Sequence, residues 1–441
     1  MMSPFKPLRG ISLLRLIIVS ALFIYIGTYA SLEIADSDFW LHVKSGEVIL
    51  KQHTFLQQDP FSFTRPGATW VNHEWLSQVI LYWFFSHWQY DGLVFFKIAV
   101  YLSAFLFLYF YLARTCHYLF ASVLVMTAFV TGLHRLMPRP DILSFLLFVV
   151  YIFILGQHKG RFFWLLPCLQ LFWVNTHGFF IVGVATVFLY WVAIFVQRNS
   201  FSAEHRRRSS YVLMACIAVC FLNPNGYAGI LYPLSRIRLF FSGRERIIYS
   251  MIMELRSPFQ GKLIGASVFK VLLVCSPLSF LLTRRSMNVF YFLLTIVMGF
   301  FASSALRNMN FFGPVGVIAL SDNILAFIRQ SSAVSLCERV RIQKIMRGVI
   351  VAGSALFVAL IFQDLRSKFR TEYAYYDEWG LKRTKTIFWG YQGGKYPEQM
   401  KRFMENAALP ERMFNSFNIG SYLIGNFYPQ RKVFVDGRTE F

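Results

Sequence analysis

Residues 35–74 read ADSDFWLHVKSGEVILKQHTFLQQDPFSFTRPGATWVNHE and follow the first apolar run of the chain directly. The stretch gathers ionisable side chains, among them Asp36, Asp38, His42, Lys44, Glu47, His53, Asp59, His73 and Glu74. Beside a membrane face, acids and imidazoles are solvated, paired or used in chemistry. We therefore predict that this first outer loop, residues 33–90, contains the functional site.

The composition indicates a polytopic membrane protein. Of the 441 residues, 56% are hydrophobic and 15% are charged, which is far from the balance of a soluble domain. The formal net charge is +22, but most Lys and Arg residues lie in short breaks between apolar runs, where they act as topology signals. The longest basic run, residues 205–208, has no interleaved aromatic residue, which argues against nucleic-acid binding.

Eleven apolar runs of spanning or near-spanning length predict an all-α polytopic fold with about 11 transmembrane helices. They are residues 11–32, 92–113, 118–133, 141–155, 162–174, 178–196, 210–222, 263–283, 287–305, 310–328 and 348–362. Residues 75–90 carry apolar residues at helical spacing with interface aromatics, which predicts a lateral amphipathic helix on the membrane surface. The alternative, a short transmembrane helix, would reverse every later loop.

The distribution of positive charge decides between these topologies. With the N-terminus in the cytoplasm and the 75–90 helix flat, the inside loops contain Arg114, Arg198, Arg284 and the basic residues of 329–347, as the positive-inside bias requires. The outside face then receives residues 35–74, the later breaks rich in Asn, His and Pro, and everything after residue 362. The C-terminus is therefore predicted on the outer side.

Polarity rises after the last apolar run. We predict a transmembrane domain over residues 1–362 and an outward-facing aqueous α/β module over residues 363–441, with a helix at 397–406 and a strand at 432–435. The sequence stops just after this strand. The expectation is that the natural chain continues, or that the module is very small.

Asp36 and Asp38 are the first candidates for chemistry. In an extended loop, their side chains would point the same way about 7 Å apart. This arrangement suits a divalent cation such as Mg²⁺ or Mn²⁺, or one acid acting while its neighbour orients it. The alternative is that they are two solvated loop acids, since a D-x-D sequence is common.

Other polar residues on the outer face are candidates for substrate binding. His42, His73 and His177 could carry protons or contact phosphate, because histidine titrates near neutral pH; polar loop residues or helix caps are the alternative. Lys44 and Glu74 accompany them in the first loop. Arginine binds phosphate through a bidentate fork, and the candidates are Arg135, Arg139 and Arg307; headgroup snorkelling is the competing interpretation for them.

The motifs DSDFW, DPFSFT and WVNHEW resemble the first outer loop of GT-C-type integral-membrane glycosyltransferases. In that fold the loop carries one catalytic acid near its start and two helices along the membrane, so the resemblance implies Asp38, or else Asp36, as the acid. Together with RPD, NTHG and VDGRTEF, the motifs resemble a group of bacterial inner-membrane proteins of this type. The sequence lacks the WWD motif of oligosaccharyltransferases, which argues against protein N-glycosylation.

The resemblance implies transfer of a sugar from a polyprenyl-phosphate-linked donor to an acceptor hydroxyl on the periplasmic face of a bacterial inner membrane. Asp38 or Asp36 would take the acceptor proton, and Arg139 and Arg307, with or without a metal, would stabilise the leaving phosphate. The alternative is a non-catalytic transporter of lipid-linked glycans or a scaffold in envelope assembly. The apolar runs contain very few acids, which favours chemistry on one face over transport.

Overall fold

The computed structural model describes residues 12–157, 162–242, 252–260, 263–284, 286–330, 336–376, 381–407 and 409–438. Most of them are helical. The α-helices are Ser12–Ala30, Asp38–Gln52, Trp75–Leu112, Tyr118–Thr131, Asp141–Leu155, Leu165–Thr176, Phe180–Val196, Ala203–Val219, Gly226–Ser242, Ile264–Ser279, Val289–Ser304, Met309–Gln330, Leu336–Phe369, Glu398–Asn406 and Phe417–Phe427.

Within these described ranges, five helical segments are long and apolar enough to cross a membrane: Leu13–Ala30, Trp75–Leu112, Ile264–Thr283, Leu306–Arg329 and Gly348–Phe369. Five further apolar helices have 10–17 residues, below the roughly 20 residues of a perpendicular span. The prediction of a mostly helical membrane protein is confirmed. The predicted number of 11 spans is not, because several apolar runs fold into helices shorter than a bilayer.

The chain divides into two compact units, each made of three separate segments. One unit comprises Met1–Tyr29, Leu102–Arg135 and Ile248–Phe369. Small residues bring its helices close: a Cβ atom on Gly265 would lie 2.7 Å from the Val130 carbonyl oxygen, and one on Gly313 would lie 2.4 Å from Thr131 Oγ1. The other comprises Ala30–Tyr101, Leu136–Ile247 and Arg370–Phe441, and therefore contains both the first outer loop and the C-terminal module.

The first outer loop contains more regular secondary structure than its polar sequence predicts. Asp38–Gln52 is a 15-residue helix whose buried side includes Phe39, Trp40, Val43 and Ile49. The expectation of an extended loop around Asp36 and Asp38 was wrong, because the apolar residues of this segment recur at helical spacing. An acid in the first turn and Lys51 in the last also complement the helix dipole.

The helix predicted for residues 75–90 is present as the first part of Trp75–Leu112, which breaks at Gln89. Gln89 has a φ of 51°, a left-handed conformation that non-glycine residues rarely adopt. The chain therefore changes direction between this segment and the apolar run that follows. That the first part lies along the membrane surface stays a prediction.

The C-terminal module combines helices with two small sheets. Strands Glu372–Tyr376 and Lys382–Thr386 form an antiparallel hairpin, while Arg412–Met413 pairs in parallel with Lys432–Val433. The predicted helix is confirmed as Glu398–Asn406, and the strand predicted at 432–435 is present over its first two residues, Lys432–Val433. The helix Phe417–Phe427 was not predicted. The boundary proposed at residue 362 stays a prediction, and the helix that contains it extends to Phe369.

We expect Gly46→Ala to destabilise the protein by about 1–3 kcal/mol, near the upper end, because overpacking against backbone is poorly relieved. A Cβ atom at Gly46 would lie 2.1 Å from the Gln78 carbonyl oxygen and 2.8 Å from Tyr82 Cβ, where two helices meet. Gly348→Ala is the matched control, since no neighbouring atom of the described residues lies within 4 Å of its Cβ position. Denaturant unfolding in detergent measures both; equal stability of the two variants would contradict the prediction.

Candidate functional site

The clearest candidate site is an arginine held by two aspartates. Arg139 donates to both carboxylate oxygens of Asp36, from Nε to Oδ2 at 2.5 Å and from Nη2 to Oδ1 at 2.5 Å. The same Nη2 lies 2.9 Å from Asp38 Oδ2. Bidentate arginine–carboxylate pairs of this kind are among the stronger polar contacts in proteins. The structure thus brings together three of the residues singled out in the sequence.

Backbone geometry places these three side chains. Asp38 opens the helix Asp38–Gln52, and its backbone N–H donates to Asp36 Oδ1 at 3.3 Å. Arg139 stands two residues before the helix Asp141–Leu155, in the RPD motif. The two acids therefore flank a helix start instead of sharing one side of an extended strand. The aspartate–arginine contact therefore joins the start of the helix Asp38–Gln52 to the turn that precedes the helix Asp141–Leu155.

The two acids differ in accessibility. The Asp36 side chain is 6% exposed and both of its oxygens accept from Arg139, whereas the Asp38 side chain is 28% exposed. The Tyr396 hydroxyl donates to the Asp36 backbone oxygen at 2.6 Å. Burial, followed by the charges of Asp36 and Asp38, raises the pKa of Tyr396, so this hydroxyl keeps its proton. Asp38 is consequently the more accessible of the two acids.

A second polar group surrounds Glu74. Its carboxylate lies 3.4 Å from His177 Nε2, 3.6 Å from His73 Nε2 and 3.7 Å from His42 Nδ1. The His73 ring also stacks on Tyr232, with centroids 4.2 Å apart. We call Glu74 with these three histidines the histidine cluster. The sequence proposed all four as substrate-binding residues, and the structure places them together.

Hydrogen bonds fix two of the imidazoles. His73 Nδ1 lies 3.1 Å from the Val71 carbonyl oxygen, which can only accept, so this nitrogen carries a proton. His177 Nδ1 accepts from the Phe179 backbone N–H at 3.2 Å, so the proton of a neutral His177 is on Nε2, facing Glu74. Ser144 Oγ lies 3.0 Å from the same Nδ1 and accepts from Trp173 Nε1. The cluster is thus held by fixed partners.

His42 lies between the two groups. It is 9% exposed, and burial, then the positive charge of Arg139, lowers its pKa to about 4, against the opposing charges of Asp36 and Asp141. His42 is therefore neutral at neutral and mildly acidic pH. It can offer an uncharged hydrogen-bonding group to a ligand beside the aspartate–arginine contact.

We expect His42 to make the protein less stable as the pH falls. Above its ordinary pKa of 6.5 neither the folded nor the unfolded state is protonated, so His42 contributes no pH dependence. Between pH 6.5 and about 4 only the unfolded state takes up the proton, which costs about 3 kcal/mol over the full range. Unfolding of wild type and His42→Gln in detergent at pH 7 and pH 5 measures this. Identical pH slopes in the two proteins would refute it.

Three predicted substrate-binding residues have other surroundings. Lys44 Nζ lies 2.7 Å from the Glu47 carboxylate on its own helix. Arg135 is buried and pairs with Glu254. Arg307 lies in the short helical segment Leu306–Asn308 and belongs, like Arg135, to the unit that does not contain the acids. Binding of substrate by these three residues stays a prediction.

A divalent cation on Asp36 and Asp38 also stays a prediction, and the residues present do not form a ready site for it. The Arg139 guanidinium occupies both oxygens of Asp36 and one of Asp38. Across the described part of the chain, no group of three or more His, Cys, Asp or Glu side chains is arranged to hold a metal ion. A cation there would have to displace the arginine.

Two parts of the site were missed in the sequence. Tyr396 contacts the Asp36 backbone, and Gly437 lies beside Asp38: a Cβ atom at this glycine would be 2.5 Å from Asp38 Oδ1. Both belong to the C-terminal module. The sequence signal for this contribution was the VDGR motif at residues 435–438. Its polar composition did not indicate that it contacts the first outer loop.

The fold is similar to that of the oligosaccharyltransferase AglB from Archaeoglobus fulgidus. Its complex with an inhibitory peptide and a dolichol-phosphate matches with a TM-score of 0.60 and 12% identity, over 95% of this chain and 64% of that chain. The complex with Zn and sulfate gives 0.60 and 11%, over 95% and 62%. The apo form gives 0.61 and 10%, over 98% and 65%.

At these identities the likeness shows the fold alone. The chain spans less than two thirds of the length of these archaeal structures. No family model matches the sequence, and no curated protein matches it.

Proposed function

We propose that this protein is a membrane glycosyltransferase that moves a sugar from a polyprenyl-phosphate-linked donor to an acceptor hydroxyl at the periplasmic face of a bacterial inner membrane. The N-terminus is cytoplasmic and the C-terminus periplasmic in this proposal. The single observation that carries it is the contact of Arg139 with Asp36 and Asp38, built directly after the first span in a chain with a fold similar to that of AglB. The dolichol-phosphate in one AglB structure supports a lipid-linked donor in general.

In the proposed reaction Asp38 acts as the general base. Its carboxylate accepts the proton of the acceptor hydroxyl as that oxygen bonds to the anomeric carbon. The bond between the anomeric carbon and the phosphate oxygen breaks, and its electron pair leaves with the polyprenyl phosphate. Attack opposite the leaving group inverts the configuration at the anomeric carbon. Asp38 suits this role because it is the more exposed of the two acids.

Arg139 supplies the positive charge beside the base. A guanidinium fixed by two carboxylates needs little reorganisation when negative charge develops on the leaving phosphate. Asp36 holds Arg139 through two hydrogen bonds and so orients it towards the exposed side of Asp38. The histidine cluster would contact the sugar or its phosphate, and the positive charge of Arg139 acts on neutral His42. No step requires a metal ion, although Mg²⁺ or Mn²⁺ added to the assay tests for one.

The experiment is transfer by purified protein in proteoliposomes. The donors are short-chain polyprenyl phosphates carrying radiolabelled hexoses or pentoses, and the acceptors are a panel of monosaccharides and lipid-linked glycans. Production of a labelled covalent product together with free lipid phosphate is the expected result. The variant Asp36→Asn with Asp38→Asn is the matched control and should yield no product.

The rival function is transport of lipid-linked glycans or a scaffold role in envelope assembly. The same vesicles distinguish it: donor that moves from one leaflet to the other without any covalent product would overturn the proposal in favour of transport. A product that both the wild type and the double variant form at the same rate would show that the acids are not the base.

A further inference from the structure

The VDGR motif forms a buried ionic contact with the first outer loop. Arg438 donates to Asp59 Oδ1 at 2.8 Å and to Asp436 Oδ1 at 2.8 Å. Asp59 is 3% exposed, Asp436 4% and Arg438 9%. Charges so deeply buried are stable only when they are paired and hydrogen-bonded. We call these three residues the C-terminal clasp.

Aromatic and backbone contacts hold the clasp in one position. The Arg438 guanidinium lies 4.7 Å from the ring centroid of Trp70 and 5.4 Å from that of Phe61. Val433 N–H donates to the Phe61 carbonyl at 3.1 Å, and Phe63 N–H donates to the Val433 carbonyl at 3.1 Å. The turn at residues 436–438 is therefore fixed on the first outer loop by several independent contacts.

The clasp sets Gly437 against Asp38. A Cβ atom at Gly437 would lie 2.5 Å from Asp38 Oδ1, 3.3 Å from Asp38 Cγ and 3.2 Å from Ser421 Oγ. Its φ lies outside the left-handed region, so a side chain here would be opposed by the Asp38 carboxylate and not by the backbone conformation. One oxygen of Asp38 thus faces this turn while the other contacts Arg139.

We propose that the Asp436–Gly437–Arg438 turn is a positioning element of the active site, which confines the Asp38 carboxylate between Gly437 and Arg139. The C-terminal module then forms one wall of the reaction centre. The role of Asp38 as a base rests on the proposed function, but its confinement by the turn does not. The residue to be tested is Gly437. It acts through Asp38, and no contact between Gly437 and the substrate is proposed.

The first experiment measures the reactivity of Asp38 without any substrate. The protein in detergent is treated with a water-soluble carbodiimide and glycine ethyl ester, and the labelling rate of each acid is followed by mass spectrometry. Gly437→Ala should raise the labelling rate of Asp38 several-fold, because the added methyl group displaces the carboxylate towards solvent. Gly348→Ala, whose Cβ position is open, should leave it unchanged. Unchanged labelling in Gly437→Ala would overturn the proposal.

A double variant separates positioning from a general loss of folding. If the methyl group at residue 437 disturbs the protein only through Asp38, then Gly437→Ala with Asp38→Ala should regain the unfolding midpoint of Asp38→Ala alone. A double variant that is as unstable as Gly437→Ala, or less stable, would show that the glycine serves packing in general and would reject the positioning role.

The transfer assay supplies the third readout. Gly437→Ala should lower kcat about 10²-fold, as expected for a base displaced by about 1 Å, with KM for the donor nearly unchanged. If Asp38→Asn abolishes transfer and Gly437→Ala does not lower kcat, the positioning proposal fails and the proposed function stands. If neither variant affects transfer, the proposed function fails. The labelling result alone then shows whether the turn confines the Asp38 carboxylate.

Discussion

Replacing Asp38 with asparagine is expected to lower kcat for sugar transfer about 10²–10⁴-fold, the usual contribution of a positioned general base. Asparagine has nearly the same shape and can still contact Arg139 through its amide oxygen, but it cannot accept the acceptor proton. Binding of polyprenyl phosphate, followed by tryptophan fluorescence, should change little. A fall of kcat at constant KM is the signature of an interaction made in the transition state.

Two neighbouring variants sharpen this prediction. Asp36→Asn should affect donor binding and stability as much as turnover, because Asp36 acts by holding Arg139. Asp91→Asn is the matched acid-to-amide control, since Asp91 is exposed; it should transfer sugar at the wild-type rate. If Asp38→Asn also retained that rate while Asp36→Asn was inactive, the base would be Asp36.

The variant Arg139→Met should be both unstable and inactive. It removes the bidentate partner of a carboxylate that is 6% exposed, and breaking such a buried pair typically costs about 3–5 kcal/mol. Loss of the positive charge should also weaken binding of polyprenyl phosphate and reduce turnover. Denaturant unfolding and lipid-phosphate binding, both in detergent, measure the two effects.

Two further variants show which interaction causes the loss of stability in Arg139→Met. Adding Asp36→Asn to Arg139→Met should restore part of the lost stability, because the buried carboxylate is then neutral. Arg208→Met, which removes an exposed pair with Glu204, should change stability by less than about 1 kcal/mol. Wild-type stability of Arg139→Met would show that the carboxylate of Asp36 does not depend on this arginine.

The sequence singled out residues that the structure brings together, but it did not predict the geometry of their contact. Positive-inside counting placed Asp36 and Arg139 in outer breaks, and both indeed meet in the structure. Periodicity could not predict that they meet, since 103 residues separate them. The helix at Asp38–Gln52 was missed because its charged residues suggested a solvated loop, although Phe39, Trp40 and Ile49 face the interior.

The contribution of the C-terminal module to the candidate site was the part least predictable from the sequence. Burial of Arg438 between Asp59, Trp70 and Phe61 depends on contacts between opposite ends of the chain, and no local pattern reports such contacts. Conversely, helix Glu398–Asn406 and strand Lys432–Val433 followed from patterning, because their side-chain periodicity is a local property.

The contact between Arg438 and the first outer loop also sets an order of events in biosynthesis. Ribosomes add about 5–20 residues per second, so Arg438, which lies 379 residues after Asp59, is made about 20–75 s after it. During that time the Arg438 guanidinium, which pairs with the Asp59 carboxylate in the folded protein, has not yet been made. A nascent chain halted before residue 436 therefore contains the first outer loop but neither the turn that lies against Asp38 nor the guanidinium that pairs with Asp59.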